Sequence, residues 1–482
     1  MVLSMPQHEE DALILGKEKI SKLLFKFALP AIAAMVASSL YNVIAGIFIA
    51  SLGAFVIAGV GITMPFMNMA AAFGALVGVG ASVVCSIYLG EKKYERARQV
   101  LCNLIILNLV LGILFSVVGL VYLDPILVLL GASENTLQPA HEYMEIILAG
   151  NVFAHMYLGL NSVMRVSGYP TTAMNLTFLS VAINLALAPL LIFVCDMGVR
   201  GAAFATVIAQ IICCIIQFYL FLKGDKVVYI ERDKFKPDWE IIKRSFFIGS
   251  PNFCTNAAAC FVVILINNAL LNYGGDLHVG AYTIVNRIAA MFFMIVLGFS
   301  QGMQPIVAYN FGAKQYDRMW QAFKLTLKCA FAVTMTGTLV CEFFPALLTR
   351  MFVAPETPLD LELTGITITG FRLMMAAFWI ICIQVIGSNF LSSMNQPMKS
   401  LALSLTRQLI ILIPLIILLP KVWGIHGVWL SMPLSDVLSA ICAALVIVHE
   451  WRKQKNQRET LAGHVFPDDR KSMPMIEGTE TN

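Results

Sequence analysis

Residues 78–96 read GVGASVVCSIYLGEKKYER, and residues 300–318 read SQGMQPIVAYNFGAKQYDR. A shift of 222 positions lays Gly80, Gly90, Lys92, Tyr94 and Arg96 on Gly302, Gly312, Lys314, Tyr316 and Arg318. The same shift carries Gly53 onto Gly275 and Ile62 onto Ile284 without a gap. The chain is one unit written twice. Duplication on this scale in so apolar a chain predicts a two-lobed membrane transporter.

Composition puts both copies in a bilayer. Hydrophobic residues make up 59% of the 482 and charged residues 13%, against about 25% charged in soluble domains. The apolar runs are long enough to cross a hydrocarbon core of about 30 Å. They are continuous, not alternating, and longer than a barrel strand, so they predict helices. About twelve spans follow: 27–50, 57–88, 98–123, 140–164, 171–195, 201–223, 243–271, 279–310, 320–345, 364–393, 398–420 and 426–449. Pro65 and Pro305 lie inside the second and eighth, where a missing N–H permits a bend.

Other classes lose support. The first apolar run is a full span behind a polar, mixed-charge start, so no cleaved signal peptide is expected. The eleven cysteines show no zinc-like or disulfide-like spacing and most lie within apolar runs, so no metal site is expected. A net charge of +4 suits contact with membrane lipid, not nucleic acid. Walker A, HExxH and GxSxG patterns are absent, so neither an enzyme nor an ATP-driven pump is expected, and no cofactor.

Basic residues crowd one set of loops. Lys17, Lys19, Lys22 and Lys26 precede the first span, and Lys92, Lys93, Arg96 and Arg98 follow the second. Lys223, Lys226, Arg232, Lys234, Lys236, Lys243 and Arg244 surround the central linker, and Arg452, Lys453 and Lys455 open the tail. The opposite loops hold little beyond Arg200, Arg350 and Lys421. The positive-inside rule places both termini in the cytoplasm. The expected division is a cytoplasmic segment 1–24, a lobe 25–223 of six spans, a linker 224–242, a second lobe 243–450 of six spans and a disordered cytoplasmic tail 451–482.

A second repeated block supports parallel lobes. Gly168-Tyr169-Pro170 corresponds to Asn395-Gln396-Pro397, and Gly198-Val199-Arg200-Gly201 to Gly424-Ile425-His426-Gly427. The latter offset of 226 pairs Gln210 with Asp436. Six spans return each copy to its starting side, so a pseudo-twofold axis runs along the membrane normal. Rocking two such lobes would expose a midplane cleft to each side in turn. A non-transporting scaffold or receptor would not require matched six-span lobes.

Three segments then carry a family resemblance. They are Phe299–Ala313 (FSQGMQPIVAYNFGA), Gly427–Asp436 (GVWLSMPLSD) and Gly201–Gln210 (GAAFATVIAQ). They resemble the MATE family (multidrug and toxic compound extrusion), in its DinF-like prokaryotic branch, and the similarity covers residues 20–450. It implies a bacterial inner-membrane antiporter exporting small amphipathic compounds against proton or sodium entry, with a monomer expected. The alternative is a lipid-linked saccharide flippase of the same wider superfamily, which often has extra spans. The resemblance also implies acids in YN-x-x-D and N-x-x-x-D-P patterns. This chain has Ala45 and Ala188 there, leaving Asn184 and Thr206 as neutral candidates for an ion site.

Ionisable residues inside spans are functional candidates because burying charge is costly. Asp436, in span twelve, is the clearest acid, with Arg407 in span eleven. Two readings are open: a protonatable coupling group tuned by Arg407, or a structural pair joining two helices. Arg287 and Arg372 either face the cleft or snorkel. Candidate cavity residues are Asn42, Asn151, His155, Gln210, Asn256, Arg287, Gln301, Gln304 and Asn389. Each could equally bridge helices, and His155 could carry a proton. The acids of the first lobe are absent and arginines lie near the core. A neutral or positive cleft follows, suited to anionic, zwitterionic or neutral substrates.

Overall fold

The computed structural model describes residues 14–223, 227–352 and 357–465, and every regular element among them is helical. The first lobe comprises α1 (Ile20–Ala50), α2 (Ala54–Gly90), α3 (Tyr94–Val121), short α4 (Leu123–Leu129), α5 (Glu134–Val166), α6 (Pro170–Pro189) and α7 (Gly198–Leu222). The second comprises α8 (Trp239–Gly274), α9 (Asp276–Gly312), α10 (Tyr316–Phe343), short α11 (Pro345–Arg350), α12 (Pro358–Met375), α13 (Ile381–Ser393), α14 (Pro397–Leu405) and α15 (Ile413–Val465). A 3₁₀ turn at Phe378–Ile380 joins α12 and α13. π-helical stretches at Leu190–Val194 and Thr406–Leu412 extend α6 and α14.

Among the described residues, eleven helical runs are long and apolar enough to cross a membrane. The last runs from Pro397 to Lys455, 59 residues, or about 89 Å at 1.5 Å per residue. Gly424, at φ 55° and ψ −136°, breaks it in two. The described residues therefore supply twelve candidate crossings, six per lobe.

The repeat holds residue by residue. α2 and α9 share both bounds under the 222-position shift, as do α3 and α10. The backbone repeats even where it is unusual. Lys92 and Lys314 take φ 59° and 57°, and Gly198 and Gly424 take φ 54° and 55°.

Three expected boundaries move. Helix α1 begins at Ile20, inside the segment expected to end at residue 24. The linker 224–242 ends at Asp238, whose carboxylate accepts from the N–H groups of Glu240 and Ile241 and starts α8 four residues early. Residues 451–465 continue α15, although a disordered tail from 451 is expected. Polar residues there hide a helix that hydropathy alone does not register. Residues 1–13, 224–226 and 466–482 of those segments lie outside the described residues.

The lobes meet at one end, the end with the basic loops at 91–93 and 313–315. There, α2 crosses α9 and α8, and α1 crosses α9. A Cβ added at Gly90 would collide with the carbonyl oxygen of Tyr309, and one at Gly312 with that of Ile87. These two contacts are images of each other under the repeat. Gly80 likewise abuts Ser245, Gly249 abuts Leu76, and Gly302 abuts Ala28. Small residues let backbones touch where lipid removes any hydrophobic drive for helix association. The Phe73 and Phe253 rings, 4.6 Å apart between centroids, mark the upper edge of this seal.

The other end is splayed. Between residues 32 and 48 no α1 side chain is fully buried, although Ile32 and Phe48 still pack against neighbouring helices. Leu40, Val43 and Ile47 are each more than half exposed. In α8 only Ala258, Val262, Ile266 and Leu270 are buried beyond Pro251, a stripe one residue wide. The far end of the first lobe packs into its own small clusters, around Tyr143 with Val199 and around Leu127 with Met144. A cleft is closed at the basic end and open at the opposite one.

Candidate coupling and substrate site

The polar residues expected in the spans do not form one ring. They fall into separate groups along the cleft walls, and the two lobes differ in kind.

In the first lobe the group is neutral. Asn184 on α6 donates to Thr206 on α7 at 3.0 Å, and the Tyr41 hydroxyl of α1 lies 3.3 Å from the same Thr206 oxygen. Three helices are thus joined by one hydroxyl. Ala188 is buried one turn beyond Asn184, and Ala45 lies one turn beyond Tyr41. The cluster contains no carboxylate. Tyr41 was not among the sequence candidates.

In the second lobe the group is charged. Arg407 Nε donates to Asp436 Oδ1 at 2.8 Å. The two side chains are 20% and 8% exposed. Asp436 stands twelve residues past the break at Gly424, about 18 Å into the membrane. Arg407 sits in the π-helical stretch, and its carbonyl accepts from the Ser435 hydroxyl at 3.0 Å. Desolvation and attraction oppose each other in such a pair, and its net worth rests on geometry.

The other candidates pair locally. Asn151 and His155 lie 3.3 Å apart on α5, and His155 Nε2 is 2.8 Å from the Ala70 carbonyl of α2. Gln304 on α9 donates to Asn389 on α13 at 3.1 Å. Gln210 is half-buried on α7. Asn42, Asn256 and Arg287 are exposed, and Asn256 donates to the Asn252 carbonyl of its own helix at 2.8 Å. Arg372 is exposed and acts electrostatically on Glu342.

One cation escaped the sequence reading. Arg165 of α5 hydrogen-bonds Gln301 of α9, bridging the lobes, and reaches Asn161 Oδ1 at 3.3 Å. Gln301 also contacts the Met35 sulfur of α1 at 3.8 Å. Among the described residues no carboxylate pairs with Arg165. The expected span stopped at residue 164, so Arg165 read as a loop residue. The helix runs on to Val166. A second feature also went unread. A cavity of about 400 Å³ opens at the splayed end of the second lobe, lined by His278, Glu362, His426 and Trp429. Trp429 Nε1 donates to His278 Nδ1 there at 3.3 Å.

Comparison with known proteins fits this geometry. The family profile MatE matches residues 30–190 and 251–418. The multidrug export protein MepA of Staphylococcus aureus (strain NCTC 8325 / PS 47) is 26% identical over 443 residues, covering 91% of this chain and 96% of MepA. A solved multidrug resistance MATE family transporter of the MOP superfamily, in its outward-facing conformation, superposes with TM-score 0.85 at 23% identity, covering 90% of this chain and 96% of that one. A MATE crystal structure in the bent conformation superposes with TM-score 0.87 at 23% identity, covering 93% and 99%. Twelve crossings, two repeated lobes and these matches over nearly the whole length place the chain in the MATE family of multidrug efflux transporters, multi-pass membrane proteins.

Proposed function

We propose that this chain is a secondary active antiporter that exports small amphipathic compounds by alternating access, driven by proton entry. The one-sided closure of two pseudosymmetric lobes carries this reading. A cleft sealed by glycine crossings at one end and splayed at the other is one of the two states that rocking requires. The basic end faces the cytoplasm of a bacterium and the splayed end opens outward. The protein works as a monomer in the inner membrane.

Asp436 is the coupling group in this scheme. It is the acid held by a cation deep in a span. A proton arriving through the open cleft would neutralise Asp436 and release Arg407, so the second lobe has two charge states to bias. Sodium fits less well. A hard cation wants several oxygens with net negative charge, while the Arg407 guanidinium already occupies this carboxylate and the Asn184–Thr206 cluster offers only neutral oxygens. Arg165, held between the lobes by amide oxygens and without a carboxylate partner among the described residues, favours substrates with an anionic or zwitterionic group.

Proteoliposomes with an imposed pH or sodium gradient test the scheme, using anionic, zwitterionic, neutral and cationic amphipathic dyes. Efflux driven by a pH gradient, with anionic or zwitterionic dyes moved fastest, is expected. Tight proton-coupled export of cationic dyes alone would overturn the substrate preference. Dependence on sodium alone would overturn the assignment to Asp436.

A further inference from the structure

The most repeated residues of the chain end in two arginines, Arg96 and Arg318, and each ties its lobe to the start of the other. Arg96 Nη1 meets the Asp238 carboxylate at 2.6 Å, and Asp238 caps α8, the first helix of the second lobe. Arg318 Nη2 donates to the carbonyls of Leu15 at 3.2 Å and Glu18 at 2.6 Å, just before α1, the first helix of the first lobe. Its Nε meets Asn310 Oδ1 at 3.2 Å, and Asn310 also donates to Leu15 O at 3.2 Å. The two clasps are images of each other and close the same end of the cleft.

They differ in one charge. The clasp at Arg96 contains its own carboxylate. Under the 222-position shift, Asp238 corresponds to Gly16, and among the described residues no carboxylate meets Arg318. Its partners are neutral carbonyl and amide oxygens. Glu18 meets Arg318 through its main-chain carbonyl, while its carboxylate Oε1 pairs with Lys22 at 2.7 Å. A cavity of about 450 Å³ opens beside Arg318, lined by Lys17, Lys19, Ile20, Ser21, Gln321 and Leu325. Three cations, a hydroxyl and an amide line it, with no acid among them. Ile20 opens α1 and Leu325 lies nine residues into α10, both membrane-crossing helices, so the cavity pairs headgroup-level cations with apolar contacts toward the acyl side.

We infer that this cavity binds the phosphate of an anionic phospholipid headgroup, which supplies to the Arg318 clasp the negative charge that Asp238 supplies to the Arg96 clasp. Guanidinium and ammonium groups together suit phosphate, which accepts several hydrogen bonds at once. The lipid would brace the closed basic end without entering the cleft, and opening of that end would release it. A phospholipid is preferred to free phosphate because the cavity pairs its cations with the two apolar residues.

The whole chain is purified in detergent with phosphatidylglycerol and phosphatidylcholine, and retained lipid is read by native mass spectrometry. The wild type should hold phosphatidylglycerol preferentially. The double variant Lys17→Gln, Lys19→Gln should weaken that preference about 25-fold, a factor of about five for each basic side chain. Gly16→Asp, which builds the missing carboxylate beside Arg318, should weaken it as well, whereas Arg96→Gln should leave it intact. Both lysines are exposed, so their replacement leaves the fold in place. Equal phosphatidylglycerol retention by the wild type, the lysine variant and Gly16→Asp would overturn the inference. So would displacement of the lipid signal by inorganic phosphate alone, with no preference between the two lipids.

Discussion

Asn184, Thr206 and Tyr41 in the first lobe stand against Arg407 and Asp436 in the second. Both groups lie on wall helices of one cleft, and both join neighbouring spans through short polar contacts. One group holds only neutral amide and hydroxyl groups, and the other pairs an acid with a cation. Gln210 and Asp436 occupy corresponding positions in the two copies, so the chain kept a polar residue at this place twice and a charge only once. Duplication supplied a symmetric frame. Divergence then left the ionisable group on one side of the axis.

The largest effect is expected where that asymmetry is removed. Asp436→Asn keeps the side-chain shape and a hydrogen bond to Arg407 but ends titration. Gradient-driven export in proteoliposomes should fall to background. The change also leaves the guanidinium without a counter-charge, and breaking a buried pair costs about 3–5 kcal/mol. Loss of transport could then reflect loss of folding. The double variant Asp436→Asn, Arg407→Gln removes that cost and should recover thermal stability while transport stays absent. Recovery of transport in the double variant would make the pair structural and return coupling to the first lobe.

The frame itself is tested next. Gly90→Val and Gly312→Val place a branched side chain against a carbonyl of the opposite lobe. Overpacking of this kind costs about 1–3 kcal/mol, and the closed basic end bears that cost. Spin labels at Lys93 and Gln315 should move apart, and export should fall about tenfold. Because the two contacts are symmetry images, the two variants should behave alike. A large difference between them would show that the pseudosymmetry of the backbone does not extend to its energetics.

Much of this frame was legible in the sequence. Gly80, Gly90, Gly302 and Gly312 repeat because backbone contact tolerates no side chain, and Lys92 and Lys314 repeat with the left-handed turns they occupy. The twelve crossings and the Arg407–Asp436 juxtaposition also follow from hydropathy and from the adjacency of spans eleven and twelve. Less was legible where partners come from distant helices. Nothing local marks Tyr41 as the third member of the Asn184–Thr206 cluster, 165 residues from Thr206. Arg165 lay one residue past an expected span end, and only the position of Gln301 in the other lobe shows that it faces the seal. The 3₁₀ turn at Phe378–Ile380 and the π-helical stretch at Arg407 arise from packing, which no periodicity records.

The smallest effect is expected in the neutral cluster, and it sharpens the comparison most. Thr206→Val preserves shape and removes the hydroxyl that both Asn184 and Tyr41 contact. A hydrogen bond of this kind contributes about 0.5–1.5 kcal/mol, so thermal stability should drop slightly. Export should change by less than about threefold, and its dependence on the pH gradient should keep its midpoint, because no titrating group has been touched. If coupling ran through an ion held by these oxygens, loss of the shared hydroxyl would collapse transport as fully as loss of Asp436. A modest effect in one lobe beside a complete one in the other would locate the coupling charge in the second copy.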